Sequence, residues 1–144
     1  MSTDQLLPKK RLALIAHDNK KEDLIKWVSE NKDSLVHHEL AGTGSTATLI
    51  EEKTGLPVEK LLSGPLGGDQ QVGALIAERK IDFLIFFWDP MEAQPHDSDV
   101  KALLRIAVVW NILIANNRTT ADFLLASTLM NKEYGMELPD YSQY

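Results

Sequence analysis

The stretch IDFLIFF, residues 81–87, decides the fold class of this sequence. It is an almost continuous apolar run, interrupted only by Asp82, and it is far too short to span a bilayer. Strands that helices cover on both faces have such runs, because neither face of the strand meets water. The run therefore predicts a buried strand in a parallel sheet.

Outward from this run, apolar stretches alternate with amphipathic stretches along the chain. Such alternation is typical of right-handed crossovers between parallel strands. We predict a single doubly wound α/β domain with a five-stranded parallel sheet over residues 11–144, after an N-terminal extension at residues 1–10. The predicted strands are Leu12–Ala16, Leu35–Leu40, Val58–Leu62, Ile81–Phe87 and Ile112–Ala115. The predicted helices begin near Lys20, Ser45, Gln70, Ser98 and Thr120, after the caps Asp18, Gly44 or Ser45, Asp69, Asp97 and Thr119.

Composition excludes several classes of protein. The 144 residues carry a net charge of −6, which argues against a general nucleic-acid binder. There is no cysteine, so a disulfide framework, a thiolate metal site and a cysteine nucleophile are excluded. The first residues, MSTDQLLPKKR, show no export signal. We expect a cytoplasmic protein with neither nucleic acid nor a membrane as its partner.

The predicted topology also places the functional site. In an open parallel sheet, ligands bind beyond the carboxyl ends of the strands, against helix N-termini. The loops after the predicted strands carry most of the reactive side chains, whereas opposite loops such as Glu78-Arg79-Lys80 are typical of solvated turns. The site is therefore expected at the carboxyl edge of the sheet.

Two features of this edge suit an anion. The segment Gly42-Thr43-Gly44-Ser45-Thr46 opens a helix with exposed N–H groups and three hydroxyls, which favours phosphate, although it is not a Walker motif. A plain glycine turn before a capped helix explains it equally well. Lys21 lies in the first turn of the first helix, where a cation opposes the helix dipole. A bound anion would explain that position better than a solvated lysine does.

Two further residues suit acid–base chemistry. Asp69 ends the glycine-rich stretch 63–70 and is either an N-cap or a general base. At a helix start, the dipole disfavours a charged imidazole at His96, and a neutral imidazole can polarise a carbonyl, as in triosephosphate isomerase. A hydrogen-bonded loop histidine is the alternative.

His37 and His38 are assigned to the surface of a strand. A metal site is a minority interpretation without supporting ligand spacing; its candidates are His17, Asp18, Asp89, His96, Asp97 and Asp99.

Several segments together resemble the methylglyoxal synthase family, and the resemblance runs from about Arg11 to Tyr141. The blocks SGPLGGDQQ (residues 63–71) and FFWDP with PHD (residues 86–90 and 95–97) are its most specific parts. The other matching segments are Ala16-His17-Asp18, Gly42-Thr43-Gly44-Ser45-Thr46 and Asp99-Val100-Lys101-Ala102-Leu103-Leu104-Arg105.

The resemblance implies a flavodoxin-like α/β fold and a reaction that converts dihydroxyacetone phosphate to methylglyoxal and inorganic phosphate through an enediolate. No metal or organic cofactor is implied. Asp69 would be the base, with Asp99 at the same enediolate and His96 as neutral electrophile and proton shuttle. A homohexamer, and inhibition by inorganic phosphate, are also implied. The residues implied to bind substrate and phosphate are His17, Asp18, Lys21, Thr43, Gly44, Ser45, Thr46, Ser63 and Gly64.

Two other functions fit parts of this sequence less well. A ligand-sensing module like that of carbamoyl phosphate synthetase would keep the segment at residues 42–46 but would not need Asp69, His96 and Asp99 together. A phospho-acceptor signalling domain would need a carboxylate pair after the first strand and a lysine after the fifth. The sequence offers Asp18 alone and Asn116-Asn117 there. The enzyme is therefore the favoured interpretation.

Overall fold

The computed structural model describes residues 2–144, which form seven strands and six helices. In chain order these are β1 Ser2–Leu6, β2 Arg11–Ala16, α1 Lys21–Glu30, α2 Lys32–Leu35, β3 Glu39–Thr43, α3 Gly44–Thr54, β4 Glu59–Leu61, α4 Gly68–Ala77, β5 Phe83–Phe87, α5 Asp97–Val109, β6 Leu113–Ala115, α6 Arg118–Leu125 and β7 Tyr134–Leu138.

The main sheet has five parallel strands in the order β4-β3-β2-β5-β6, which confirms the predicted fold class. The chain winds from β2 through β3 to β4 at one edge, then crosses to β5 and β6 on the other side of β2. The loops after β2 and β5 therefore diverge, and such a switch point opens a crevice at the carboxyl edge of a parallel sheet.

Two hydrophobic layers cover the faces of this sheet. Alternate side chains of β5 point to opposite faces: Phe83 and Ile85 pack with α1, α3 and α6, whereas Leu84 and Phe86 pack with α4 and α5. All of β5 is buried, as its apolar sequence predicts. Trp27 of α1 is fully buried, and its Nε1 donates a hydrogen bond to Asp122 Oδ1 at 2.8 Å. Burial on both faces fixes the sheet and holds its carboxyl-edge loops in place.

A second sheet was not predicted. Strand β1 pairs antiparallel with β7, so residues 2–6 contact the C-terminal part of the chain. Leu6, Met136 and Leu138 are buried together in the α4–α5 layer of the core. The pairing joins segments about 130 residues apart, which a local sequence pattern does not reveal.

The strand predicted at Leu35–Leu40 is wrong in its first half. Leu35 ends the short helix α2, Val36 and His37 form a turn, and β3 begins at Glu39. The backbone N–H groups of Val36 and His38 donate to the carbonyls of Lys32 and Leu35, so local turns satisfy this segment. The assignment of both histidines to a strand surface is also wrong.

The predicted helix starts are close, but their capping residues differ. Thr43 and His96 precede α3 and α5, and Asn117 caps α6 by accepting a hydrogen bond from the Thr120 N–H. Asp69 lies inside α4 instead of capping it. Asp97 is the first residue of α5, and Lys20 precedes α1 after a 3₁₀ turn at Asp18–Lys20. The C-cap of helix α3 is Gly55, which adopts a left-handed conformation.

Candidate active site

A cavity of about 130 Å³ lies at the carboxyl edge of the main sheet, where the sequence predicts the site. Loops after β2, β3, β4 and β5 all contribute to it. Eleven of the twelve residues implied as catalytic or substrate-binding line it, and Asp99 does not. Gln94 also lines the cavity and was not foreseen, because the loop before α5 has no pattern that orients its side chains. The lining residues are Ile15, Ala16, His17, Asp18, Lys21, Thr43, Gly44, Ser45, Thr46, Ser63, Gly64, Pro65, Asp69, Gln94 and His96.

The N-terminus of α3 forms one wall of the cavity. Gly44 begins the helix directly after β3, and its N–H donates to the carbonyl of Leu62 at 3.2 Å, which ties α3 to the loop after β4. Thr43 and Thr46 are buried, and Ser45 is exposed at the mouth. N–H groups at a helix start together with hydroxyls are suited to phosphate oxygens.

Lys21 places a cation beside this wall. Its Nζ donates to Ser45 Oγ at 3.0 Å and lies 2.9 Å from Asp18 Oδ1. The Lys21 ammonium, as hydrogen-bond donor and as charge, holds the pKa of Asp18 below its usual value. The contact joins the first turn of α1 to the first turn of α3, so both helix N-termini and a positive charge converge on one point.

Asp69 supplies a buried carboxylate to the same cavity. Its residue is 2% exposed, and neither carboxyl oxygen has a hydrogen-bond partner among the described residues. Burial raises the pKa of Asp69; nearby His96 opposes this shift and Asp99 adds to it. The position depends on Gly68, where a Cβ would lie 2.0 Å from the Leu62 carbonyl oxygen. A buried carboxylate with a raised pKa and free oxygens is typical of a general base.

His96 lies directly against this carboxylate. Its Nε2 is 3.5 Å from Asp69 Oδ2, and its Nδ1 is buried without a partner in the described chain. The pair is this close only because residue 64 is glycine: a Cβ on Gly64 would lie 2.9 Å from His96 Nε2 and 3.3 Å from Asp69 Oδ1. Both side chains therefore present unsatisfied polar atoms to the same small volume.

His17 faces the same pair from β2. Its ring contacts the ring of His96 edge-on, with centroids 5.9 Å apart. Its Nδ1 accepts a hydrogen bond from the Asp89 N–H at 3.1 Å, which leaves the buried Nε2 without a partner. Burial, and to a lesser degree His96, lower the pKa of His17. A neutral His17 with an occupied Nδ1 carries its proton on Nε2 and can donate it to a ligand.

Asp99 lies outside this cavity. It belongs to the first turn of α5 and lines a separate cleft of about 300 Å³ between α4 and α5, which Asp69 and Arg105 also line. Asp69 therefore separates the two spaces. The structure places Asp99 where its charge acts on Asp69, behind the surface that a ligand in the smaller cavity would contact.

The acidic loop after β5 has a structural explanation. Asp89 is buried, and its carboxylate accepts hydrogen bonds from the Met91 N–H and from Asn19 Nδ2. These bonds lower the pKa of Asp89. Within residues 2–144, no group of three or more histidine, aspartate or glutamate side chains is arranged to hold a metal ion. Over the same residues, no helix is both long and apolar enough to cross a membrane.

Comparisons with known proteins agree with this geometry. Residues 23–116 match the family model of the MGS-like domain. The methylglyoxal synthases of Yersinia pestis (strain Pestoides F) and Yersinia pseudotuberculosis (serotype O:1b, strain IP 31758) are each 56% identical to this chain, over all of it and 94% of their own length. The crystal structure of methylglyoxal synthase from Elizabethkingia anophelis NUHP1 superposes with a TM-score of 0.95 at 55% identity, covering all of this chain and 95% of that one. This chain therefore belongs to the methylglyoxal synthase family.

Proposed function

We propose that this protein is a carbon–oxygen lyase that converts dihydroxyacetone phosphate to methylglyoxal and inorganic phosphate. The observation that carries this proposal is the position of Asp69. Its buried, unpartnered carboxylate lies 3.5 Å from His96 in a cavity that the N-terminus of α3 and Lys21 also line. A base and an anion site in one cavity match a three-carbon phosphate ester.

The phosphate group of the substrate occupies the wall made by α3. The N–H groups at the start of α3, the hydroxyls of Thr43, Ser45 and Thr46, and the Lys21 ammonium are its donors. The loop at Ser63 and Gly64 closes this side, and His17 and Asp18 line its border with the reacting carbons. Lys21 is already held by Ser45 and Asp18, so little ordering is required when the anion binds.

Asp69 begins the reaction by removing a proton from the hydroxymethyl carbon next to the carbonyl. Burial raises its pKa, which makes the carboxylate a stronger base than a solvated aspartate. The electron pair of the broken C–H bond forms an enediolate, whose developing oxygen charge needs hydrogen-bond donors. His96 and the Nε2–H of His17 are the two nearest candidates, because both rings present buried atoms without partners.

Elimination then follows from the way the phosphate is held. Electrons from the enediolate expel the phosphate, and the enol that remains becomes methylglyoxal. The proton taken from carbon leaves with the phosphate, so dihydroxyacetone phosphate dianion gives methylglyoxal and hydrogen phosphate. Elimination is favoured when the site aligns the ester carbon–oxygen bond with the enediolate π system and stabilises the departing anion. Such a site therefore favours loss of phosphate over isomerisation of the triose phosphate.

The positions of individual residues support the following roles. Asp69 is the base, His96 polarises the carbonyl and carries protons, and His17 donates to the same oxygens. Asp99, which the family resemblance implies as catalytic, acts through Asp69 instead of on the substrate, because its charge helps to raise the pKa of Asp69. Neither metal nor organic cofactor takes part in the proposed reaction, which a chelator tests directly.

The remaining features of the proposal concern the whole protein. Residues 11–144 are the catalytic domain, residues 1–10 are an N-terminal extension, and the protein works as a homohexamer in the cytoplasm. Inorganic phosphate inhibits the enzyme, because it is a product that fits the same donors at α3 and Lys21.

The test is an assay of the purified protein with dihydroxyacetone phosphate, in which methylglyoxal and inorganic phosphate are measured together. We expect equal amounts of both products, unchanged by a chelator. Loss of activity with the chelator would contradict the metal-free reaction. Absence of both products from a protein that still binds phosphate would overturn the proposal and indicate a ligand-sensing module.

A further inference from the structure

A second cavity lies at the opposite edge of the sheet, away from the candidate active site. Its volume is about 330 Å³, and it is partly open to solvent. Strands β1 and β7 cover it, and α6 and the start of β6 form its walls. Pockets of this size hold small organic ligands. The lining residues are Leu6, Lys10, Asn111, Ile112, Leu113, Leu124, Ser127, Leu129, Met130, Tyr134 and Met136.

The walls are mostly apolar, but one lining residue is a buried lysine. Lys10 is 2% exposed, and its Nζ donates to the backbone carbonyls of Leu7 and Lys132. An ammonium group has three N–H donors, so these two bonds leave one donor unused. Burial lowers the pKa of Lys10. Lysine is almost never fully buried unless it is paired, so this position needs an explanation.

Lys10 forms no ion pair within the described chain. No carboxylate of residues 2–144 comes within 4.0 Å of its Nζ. Asp82 is the acid whose charge affects Lys10, but both of its carboxyl oxygens accept hydrogen bonds from Arg11. A buried charge is unfavourable without a partner of opposite sign. The cavity therefore combines an unpaired cation with apolar walls and an opening to solvent.

We propose that this cavity binds a small monocarboxylate with a short aliphatic chain. The carboxylate accepts a hydrogen bond from Lys10 and supplies the missing negative charge, while the chain lies against the leucines and methionines of the wall. One cation and mostly apolar walls select a singly charged head with a tail, not a dianion such as phosphate. The ligand joins the β1–β7 pair to the main sheet, so it stabilises the fold at an edge that the reaction does not use.

The probe for this site is hexanoate, and two methionines report its binding. Met130 and Met136 line the cavity, whereas Met91 lies exposed in the loop before α5 and serves as an internal reference. In the full-length protein labelled with ¹³C at the methionine methyl groups, we expect hexanoate to shift the Met130 and Met136 signals saturably and to leave Met91 unchanged. At ten times its Kd it should raise the Tm by about 4 °C.

Variants and a neutral probe test the role of the charge. Lys10→Met keeps an apolar side chain of similar length and should weaken hexanoate binding at least tenfold, because hydrogen bonds between charged groups are stronger than those between neutral groups. Lys132→Met removes an exposed charge near the same bonds and should bind as the wild type does. Hexan-1-ol has the same chain without a charge and should bind at least tenfold more weakly than hexanoate.

Several outcomes would overturn the proposal. These are absent or non-saturable shifts of Met130 and Met136, equal binding of hexanoate and hexan-1-ol, and unchanged binding by Lys10→Met. If Lys10→Met does not fold, Ser127→Phe partly fills the cavity and keeps the lysine. That variant should lose hexanoate binding, and undiminished binding would show that the ligand lies elsewhere.

Discussion

Replacing Asp69 by asparagine is the most informative single change in this protein. The two side chains have nearly the same shape, so the variant keeps the cavity and removes only the carboxylate that we propose as the base. A positioned acid or base contributes roughly 10²–10⁴-fold to a reaction rate, equivalent to about 3–5 kcal/mol of barrier. We therefore expect kcat to fall by roughly 10²–10⁴-fold, while phosphate binding at the α3 wall, whose donors the substitution does not change, stays close to the wild-type value.

The same variant should be more stable than the wild type. Asp69 is buried without a hydrogen-bond partner, and burial raises its pKa above the usual 3.8. Below that value, both the folded and unfolded states hold the proton. As the pH rises through the raised pKa, the folded wild type must ionise a buried group, and its free energy of unfolding falls relative to the variant. An uncharged amide avoids this cost, by about 1 kcal/mol or more, so the Tm should rise by about 2–4 °C at neutral pH.

Two measurements test both parts of the prediction. Methylglyoxal formation from dihydroxyacetone phosphate gives kcat, and thermal unfolding in phosphate-free buffer at pH 5 and pH 7.5 gives the stability difference. Asp33→Asn, at an exposed position of α2, is the matched control and should change neither. A near-normal kcat would remove Asp69 as the base. A variant that is less stable, or whose advantage shrinks as the pH rises, would refute the reasoning from burial.

Three further changes test the site around this carboxylate. Gly64→Ala would force a methyl group to within 2.9 Å of His96 Nε2 and should lower kcat/KM about 100-fold. The methyl group of Gly73→Ala meets nothing closer than 3.9 Å, so this control should keep the wild-type kcat/KM, and equal activity of the two variants would contradict the packing argument. Asp99→Asn removes a charge that raises the pKa of Asp69, so the acid limb of the pH–rate profile should move to lower pH. An acid limb that stays in place or moves to higher pH would show that Asp99 does not raise the pKa of Asp69. Lys21→Met should weaken the binding of inorganic phosphate at least tenfold, as measured by calorimetry. Undiminished binding would show that the anion binds elsewhere.

The fold could be predicted from the sequence because its signal is local. The buried run at residues 81–87 and the alternation around it fix a parallel sheet, and β5 is indeed buried on both faces. The strand at Leu35–Leu40 was misplaced because an apolar residue, Leu35, anchors a short helix as readily as a strand. The β1–β7 sheet was missed because its pairing partners are distant along the chain.

The candidate site shows the same division. The sequence assigned the reactive residues to one edge, since the carboxyl ends of parallel strands meet there. It could not show which of them share a volume. Gln94 lines the cavity although nothing in its loop marks it, and Asp99 lies in a different cleft although it is only three residues from His96. His96 precedes α5 with a non-helical backbone, whereas Asp99 lies in the first turn of the helix, so spacing along the sequence does not place their side chains together.

By itself, the sequence therefore determined the α/β class, the edge that carries the site and the family, because periodicity and short motifs are properties of neighbouring residues. Only the tertiary structure decided how polar atoms are satisfied. Asp69, His17 and His96 are left with unpartnered atoms in one cavity, and Lys10 is left without an ion pair in another. Burial and hydrogen-bond partners depend on segments that meet only when the chain folds, and these two quantities set the charge state and chemistry of a side chain.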